Sequence, residues 1–251
     1  MSQLLAYHGD PKVKAKYLAR VRAHRKADEL VQGVGFERNG ETRGCAVGCT
    51  LDAYDHARYP VELGMPEMLA RLEDAIFEGL PKAKALEWPT QFLSAAKPGA
   101  DLSLVGWKFL AWLLSDEKVN PGINHPLVRD AVKRCANMMH DMGEGKKVAE
   151  SARSAAESAA RSAAWSAAES AAWSAESAAW SAARSAAESA AWSAESAAWS
   201  AARSAAWSAA WSAEAAAESA ARSAARSAES AAYVLMSKKL LTLMRAAPVS
   251  R

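Results

Sequence analysis

From Lys146 to Ala247 the chain contains neither glycine nor proline, and from Ser158 to Glu229 it is written almost entirely as Ser-Ala-Ala-X. Nearly half of that stretch is alanine, the residue that loses least on entering a helix, and nothing in it breaks one. One continuous helix of about 95 residues would be about 140 Å long at 1.5 Å per residue. Serine gives back roughly 0.5 kcal/mol of helix preference per site relative to alanine. A bare Ser/Ala helix of this length is therefore soft unless something packs on it.

The repeat has a second period. From Ser158 its units read SAAR-SAAW-SAAE-SAAW-SAE, then SAAW-SAAR-SAAE-SAAW-SAE, then SAAW-SAAR-SAAW-SAAW-SAE, each block being 19 residues, before a shorter block closes at Glu229. Nineteen residues in five turns is about 3.8 per turn, so keeping one stripe against a partner demands a right-handed supercoil. The three-residue SAE unit reads as a phase correction. In that phase Trp165, Trp173, Trp180, Trp192, Trp199, Trp207 and Trp211 fall within a sector of about 60°. Small residues cover the rest of the circumference.

Two readings of the repeat compete. In one, small faces pack helix on helix, the indoles line the seams, and the chain is a homo-oligomer through residues 151–233. In the other, slippage has expanded a low-complexity spacer. Exposed indoles on a lone helix invite aggregation, which favours packing. Ice binding fits less well, because the face lacks a regular threonine array. Arg or Glu every few residues argues against insertion in a membrane.

Charge is balanced by region. Residues 1–150 carry 21 Lys and Arg against 20 Asp and Glu, the repeat carries 6 Arg against 8 Glu, and the tail after Tyr233 has four positive charges and no acid. A net charge of +3 gives no reason to expect a nucleic-acid partner. No apolar run is long enough for a membrane span, and "MSQLLAYHGDPKVKAKY" lacks the apolar core of a secretory signal. Cys45, Cys49 and Cys135 then read as reduced thiols of a cytoplasmic protein.

Residues 1–147 predict a small helical domain with one β-hairpin. Asp10-Pro11 caps a helix whose face runs Val13, Tyr17, Val21, His24, Ala27, Val31 until Gly33. Asn39-Gly40 is the signal of a two-residue type I′ turn, with a hairpin near 34–47 that must lie on helices to persist. Pro66 opens a helix with Met65, Leu69, Leu72 and Ile76 on one stripe and Gly79 as its stop. Short helices separated by Pro89 and Pro98 follow. Asp101 caps a helix facing Val105, Phe109, Trp112 and Leu113 inward, with Trp107 as further core. Val128, Val132, Cys135, Met139 and Met142 mark another, ended by Gly143 and Gly145. Residues 148–233 form the repeat helix and 234–251 a basic, solvated helix end.

The segments "AYHGDPKVKAKYLARV", "GCAVGCTL", "YPVELGMPEMLARLEDAIFEGLP" and the closing "AAPV" resemble an uncharacterised family of phage and bacterial proteins that join such an N-terminal domain to an alanine-rich stretch of differing length. The resemblance covers most of residues 5–80 and the tail. It implies no activity, but it implies that the N-terminal block is one unit and the repeat a variable spacer or assembly element.

One constellation could carry chemistry. If Gly44–Tyr59 were helical, Cys45, Cys49, Asp52 and His56 would share a face, as a thiol nucleophile with imidazole base and orienting carboxylate, or as metal ligands with His8 added. The hairpin places Cys45 in a strand instead, and C-x3-C without a second pair is a weak metal signal. Buried structural cysteines are the plainer explanation. Asp55 and Glu62, flanking Tyr59-Pro60, read as a solvated loop, and His8 as a tie for the N-terminus. No phosphate loop, nucleotide fingerprint or cofactor motif appears. The sequence thus points to a non-enzymatic assembly or interaction protein, with a thiol- or metal-dependent enzyme using Cys45, Cys49 and His56 as the alternative.

Overall fold

A computed structural model describes residues 4–39, 41–124, 126, 129–149, 151–152, 154–155, 158 and 199–249, with backbone alone at 39, 121–122, 199–217 and 220. The chain is mainly helical with a single two-stranded antiparallel hairpin among the described residues. In chain order the elements are α1 (Pro11–Lys26), β1 (Phe36–Asn39), β2 (Glu41–Gly44), α2 (Ala46–Leu51), α3 (Tyr59–Leu63), α4 (Glu67–Gly79), α5 (Lys82–Ala85), α6 (Trp88–Ala95), α7 (Val105–Ser115), α8 (Arg129–Gly143) and α9 (Trp199–Arg245).

Asp10 caps α1, its carboxylate accepting from the Lys12 N–H at 2.7 Å, with Pro11 in the first turn. Tyr17, Val21 and His24 are its buried face. The helix stops at Ala27 rather than Gly33, because Asp28 takes a left-handed conformation (φ 57) and turns the chain. Ala27 and Val31 therefore leave the stripe. The Val31 N–H donates to the Gly44 carbonyl at 2.9 Å, and the Gly44 N–H to that of Glu29 at 2.9 Å, which lays this segment alongside β2.

The hairpin register sets Phe36 opposite Gly44 and Arg38 opposite Thr42. A two-residue Asn39-Gly40 turn would pair Arg38 with Glu41, so the expected type I′ geometry is off by one residue. Cys45 lies beyond the strand, where it caps α2, and Val47 is helical and fully buried. The Cβ of a larger residue at Gly48 would fall 2.0 Å from the Gly35 carbonyl oxygen. Glycine there lets α2 press onto the chain entering β1.

α4 begins after Pro66 and ends at Gly79, with Leu69, Ala70, Glu73, Ile76 and Phe77 buried. α7 starts at Val105, capped by Leu104; the Asp101 carboxylate instead accepts from the Ser103 N–H at 3.0 Å in the preceding turn. Val105 and Phe109 are buried, while Trp107, Trp112 and Leu113 are half-buried. On α8, Cys135 and Met142 are buried as expected, and Val128 lies outside the described residues.

The C-terminal tail is not a solvated helix end. Leu240, Leu241, Met244 and Ala247 lie in the same core as Tyr7, Phe77, Trp88 and Phe109, with Tyr233, Val234, Met236 and Leu243 packed against it. The Asp101 N–H donates to the Pro248 carbonyl at 2.8 Å, and Ala100 bridges Val249 in antiparallel register. Charge concealed this: Lys238, Lys239 and Arg245 share the last turns of α9 with an apolar stripe at 240, 241 and 244. Two compact units result, one of residues 1–157 and 229–251, the other of residues 158–228. The expected single helix from 148 to 246 is present from Trp199 to Arg245. Residues 148 and 149 are not helical, positions 151, 152, 154, 155 and 158 are, and the rest of that expectation up to residue 198 lies outside the described residues.

Candidate functional site

The constellation proposed from spacing is rearranged by the way α2 begins and ends: Asp52 pairs with His24, while Cys45 and His56 both neighbour Asp74. Cys45 is the N-cap of α2, and its sulfur accepts from the Gly48 N–H at 3.4 Å. Cys49 sits one turn on and donates to the Gly44 carbonyl at 3.4 Å. Both thiols are essentially inaccessible, at 1% and 0% exposure. Burial, and then the neighbouring Asp74 carboxylate, push the Cys45 thiol far above its ordinary range. Burial, with Glu29 and Asp52 adding, pushes Cys49 up to about 12. Thiols so placed resist forming the thiolate that attacks or binds a metal.

Asp52 terminates α2 in a left-handed conformation (φ 55). It accepts from His24 Nε2 at 2.9 Å and pairs with Arg20 at 3.3 Å, while His24 Nδ1 faces Glu29 at 2.5 Å. The His24 ring thus links α1, the turn that follows it and the end of α2. His56 is parted from Asp52 but shares the Asp74 carboxylate with Cys45: its Nε2 lies 3.2 Å from Asp74, the Tyr54 hydroxyl donates to the same oxygen at 3.0 Å, and the two rings meet edge to face at 5.0 Å. His8, in a left-handed turn (φ 53), faces the Val61 carbonyl at 3.0 Å and does tie down the N-terminal segment. Among the described residues no group of three or more His, Cys, Asp or Glu side chains is arranged to hold a metal ion.

Asp55 and Glu62 are also separate. Asp55 caps the turn His56–Arg58, accepting from the Ala57 N–H at 3.0 Å, whereas Glu62 is held by Tyr17 and Arg58. Trp165, Trp173, Trp180 and Trp192 lie outside the described residues. Trp199, Trp207 and Trp211 fall on α9, where the backbone alone is described.

The group that sequence reasoning passed over is Glu73. It is wholly buried on α4; Tyr59 donates to one carboxylate oxygen, and the other has no hydrogen-bond partner among the described residues. Burial pushes its pKa up to about 8, with Asp74 adding to the rise and the Tyr59 hydroxyl opposing it. The carboxyl is therefore mostly neutral at pH 7. The signal was present: Leu69, Glu73 and Ile76 continue one helical stripe, so a glutamate occupied a core position. Tyr7, also buried nearby, donates to the Leu93 carbonyl, and the Trp88 indole N–H donates to the Glu73 carbonyl at 2.9 Å.

These features describe a helical domain whose core takes in residues near Ala6 and Tyr7 together with Leu240, Leu241, Met244 and Ala247. Comparison with protein-family models, with curated proteins and with solved structures finds no match. No helix among the described residues is long and apolar enough to cross a membrane.

Proposed function

We propose that this chain is a non-enzymatic assembly protein that self-associates through its Ser-Ala-Ala-X repeat. The observation that carries this reading is the exposure of α9 where it crosses the end of the repeat. Every described side chain from 218 to 229 is exposed, on a helix that runs unbroken over 47 residues. A long Ala-rich helix with all faces uncovered has propensity but no packing of its own. Small side chains over most of its circumference admit the close approach of an identical helix. The seven indoles of the repeat, confined by phase to one sector, would supply the apolar area. Fully burying an indole contributes a few kcal/mol at about 25 cal/mol per Å², so several together exceed the roughly 4–15 kcal/mol cost of association.

The folded unit serves this role as a clasp, since its core takes in segments on both sides of the repeat. Sedimentation of the full chain tests the proposal. Self-association at micromolar concentration is expected, and changing Trp173, Trp180, Trp192 and Trp199 together to Gln should shift the chain towards monomer with the domain still folded. A wild-type chain that stays monomeric at high micromolar concentration would overturn it.

A further inference from the structure

Three segments far apart in sequence meet around a cleft of about 400 Å³. α7 supplies Lys108 and Trp112, α8 supplies Asn137 and His140, and the tail supplies Lys239 and Leu243. The size falls within the roughly 300–1,000 Å³ of small-molecule sites. The helices close tightly beside it. At Gly143, the last residue of α8, an added Cβ would stand 3.0 Å from the Lys108 Cγ and 3.2 Å from its backbone nitrogen. The stem of Lys108 thus packs where α8 ends. The tail brings Leu243, which lies against the core, and a half-buried Lys239.

No carboxylate lines this cleft, and two ammonium groups do. The Lys239 ammonium stands 5.6 Å from the Trp112 ring centre and forms no ion pair among the described residues. Lys108 has only Glu144 near it, at 3.9 Å, with both side chains about half exposed, a pairing that solvent largely screens. The side chains of Asn137 and His140 form no hydrogen bond among the described residues. The neighbouring carboxylates are engaged otherwise. Asp116 accepts from the Trp112 indole N–H and from the Lys118 N–H, each at 2.9 Å, and Asp141 pairs with Lys146 at 2.8 Å. With its N–H committed, Trp112 offers the cleft an apolar ring.

Unpartnered donors converging beside an apolar wall fit one class of ligand. We propose that this cleft binds a small organic anion, its flat apolar body against Trp112 and Leu243 and its carboxylate or phosphate oxygens held by Lys108 and Lys239. Asn137 and His140 supply further hydrogen bonds. The site is separate from the repeat and does not depend on self-association. Because Lys239 and Leu243 belong to the tail, the ligand binds only a domain whose tail is docked, and it stabilises that closed core by mass action.

Phenyl phosphate is the probe, titrated calorimetrically into the full chain at low ionic strength, with benzyl alcohol as its neutral counterpart. Saturable binding of one molecule per chain is expected, with a dissociation constant below about 1 mM and a rise in unfolding temperature as ligand is added. Benzyl alcohol should not bind. Lys108→Gln and Lys239→Gln should each weaken the affinity about tenfold, whereas Lys239→Arg, which keeps the cation, should retain most of it. Lys82→Gln, an exposed change outside the cleft, should alter nothing. Should Lys239→Gln loosen the tail, its unfolding temperature without ligand reveals this, and Lys108→Gln on α7 then decides. The site is overturned by an absence of saturable binding at about 10 mM phenyl phosphate, by equal binding of benzyl alcohol, or by affinities that both lysine changes leave intact.

Discussion

Gly79 and Tyr233 stand 154 positions apart in the chain, and a Cβ on Gly79 would lie 2.2 Å from carbon atoms of the Tyr233 ring. The end of α4 and the last third of α9 thus approach as closely as backbone permits. The glycine that the sequence marks as a helix stop is also the seat of the returning tail. Gly79→Ala should cost about 1–3 kcal/mol through overpacking, and pairing it with Tyr233→Ala should cost less than the sum of the two changes. Denaturant midpoints of the four chains measure the coupling; strict additivity would mean that the contact carries none.

The tail should be as necessary to the domain as any helix of residues 1–157. Leu240→Ala and Met244→Ala each remove a fully buried side chain, for an expected loss of about 2–5 kcal/mol. That is a large share of the 5–15 kcal/mol typical of a whole domain. Thermal unfolding followed by the signal of the buried Trp88 reads the effect. Full retention of stability on deleting residues 229–251 would contradict the core described above.

Glu73 sets a pH dependence with a defined sign. Its folded pKa of about 8 lies above the value of about 4.3 expected in the unfolded chain, so between those limits the folded state holds the extra proton. Stability attributable to this group is therefore complete below about pH 4 and falls as pH rises, by at most about 1.4 kcal/mol per unit, levelling off above about pH 8. Glu73→Gln keeps an acceptor for Tyr59 and removes the ionisation. The variant should match the wild type near pH 4 and exceed it near pH 8. Parallel stability curves for the two proteins across that range would show that Glu73 is not held neutral.

The two thiols of α2 should be inert while the domain is folded. With Cys49 near 12, roughly one molecule in 100,000 carries its thiolate at pH 7. Alkylation of Cys45 and Cys49 should therefore be slow and should accelerate with denaturant along the unfolding curve. Rapid, selective labelling of either at neutral pH in the native protein would restore the thiol reading.

Local signals were legible wherever the physics is local. Asp10-Pro11 caps α1 because a carboxylate and a fixed φ act over three residues; the stripe Leu69–Ile76 and the stop at Gly79 follow from helical period and backbone freedom alone. Helical character and the hairpin around Asn39 are of the same kind. The segments after α1 and before α7 bond to partners far along the chain, Glu29 and Val31 to Gly44 and Asp101 to the Pro248 carbonyl, which no local signal announces.

What tertiary structure alone decided is which side chains meet. Spacing put Cys45, Cys49, Asp52 and His56 on one hypothetical face, but a left-handed residue at Asp52 ended the helix and sent Asp52 to His24 and His56 to Asp74. A glutamate in an apolar stripe became a neutral acid because the surrounding elements excluded water from it. The tail looked basic and solvated because its lysines and its leucines are interleaved in sequence and parted only by the helix. Periodicity and capping are written in neighbouring residues, so the sequence by itself specifies them. The return of residues 233–249 to the core depends on a groove assembled from α4, α7 and the turn between α6 and α7, and a groove exists only once those elements have packed.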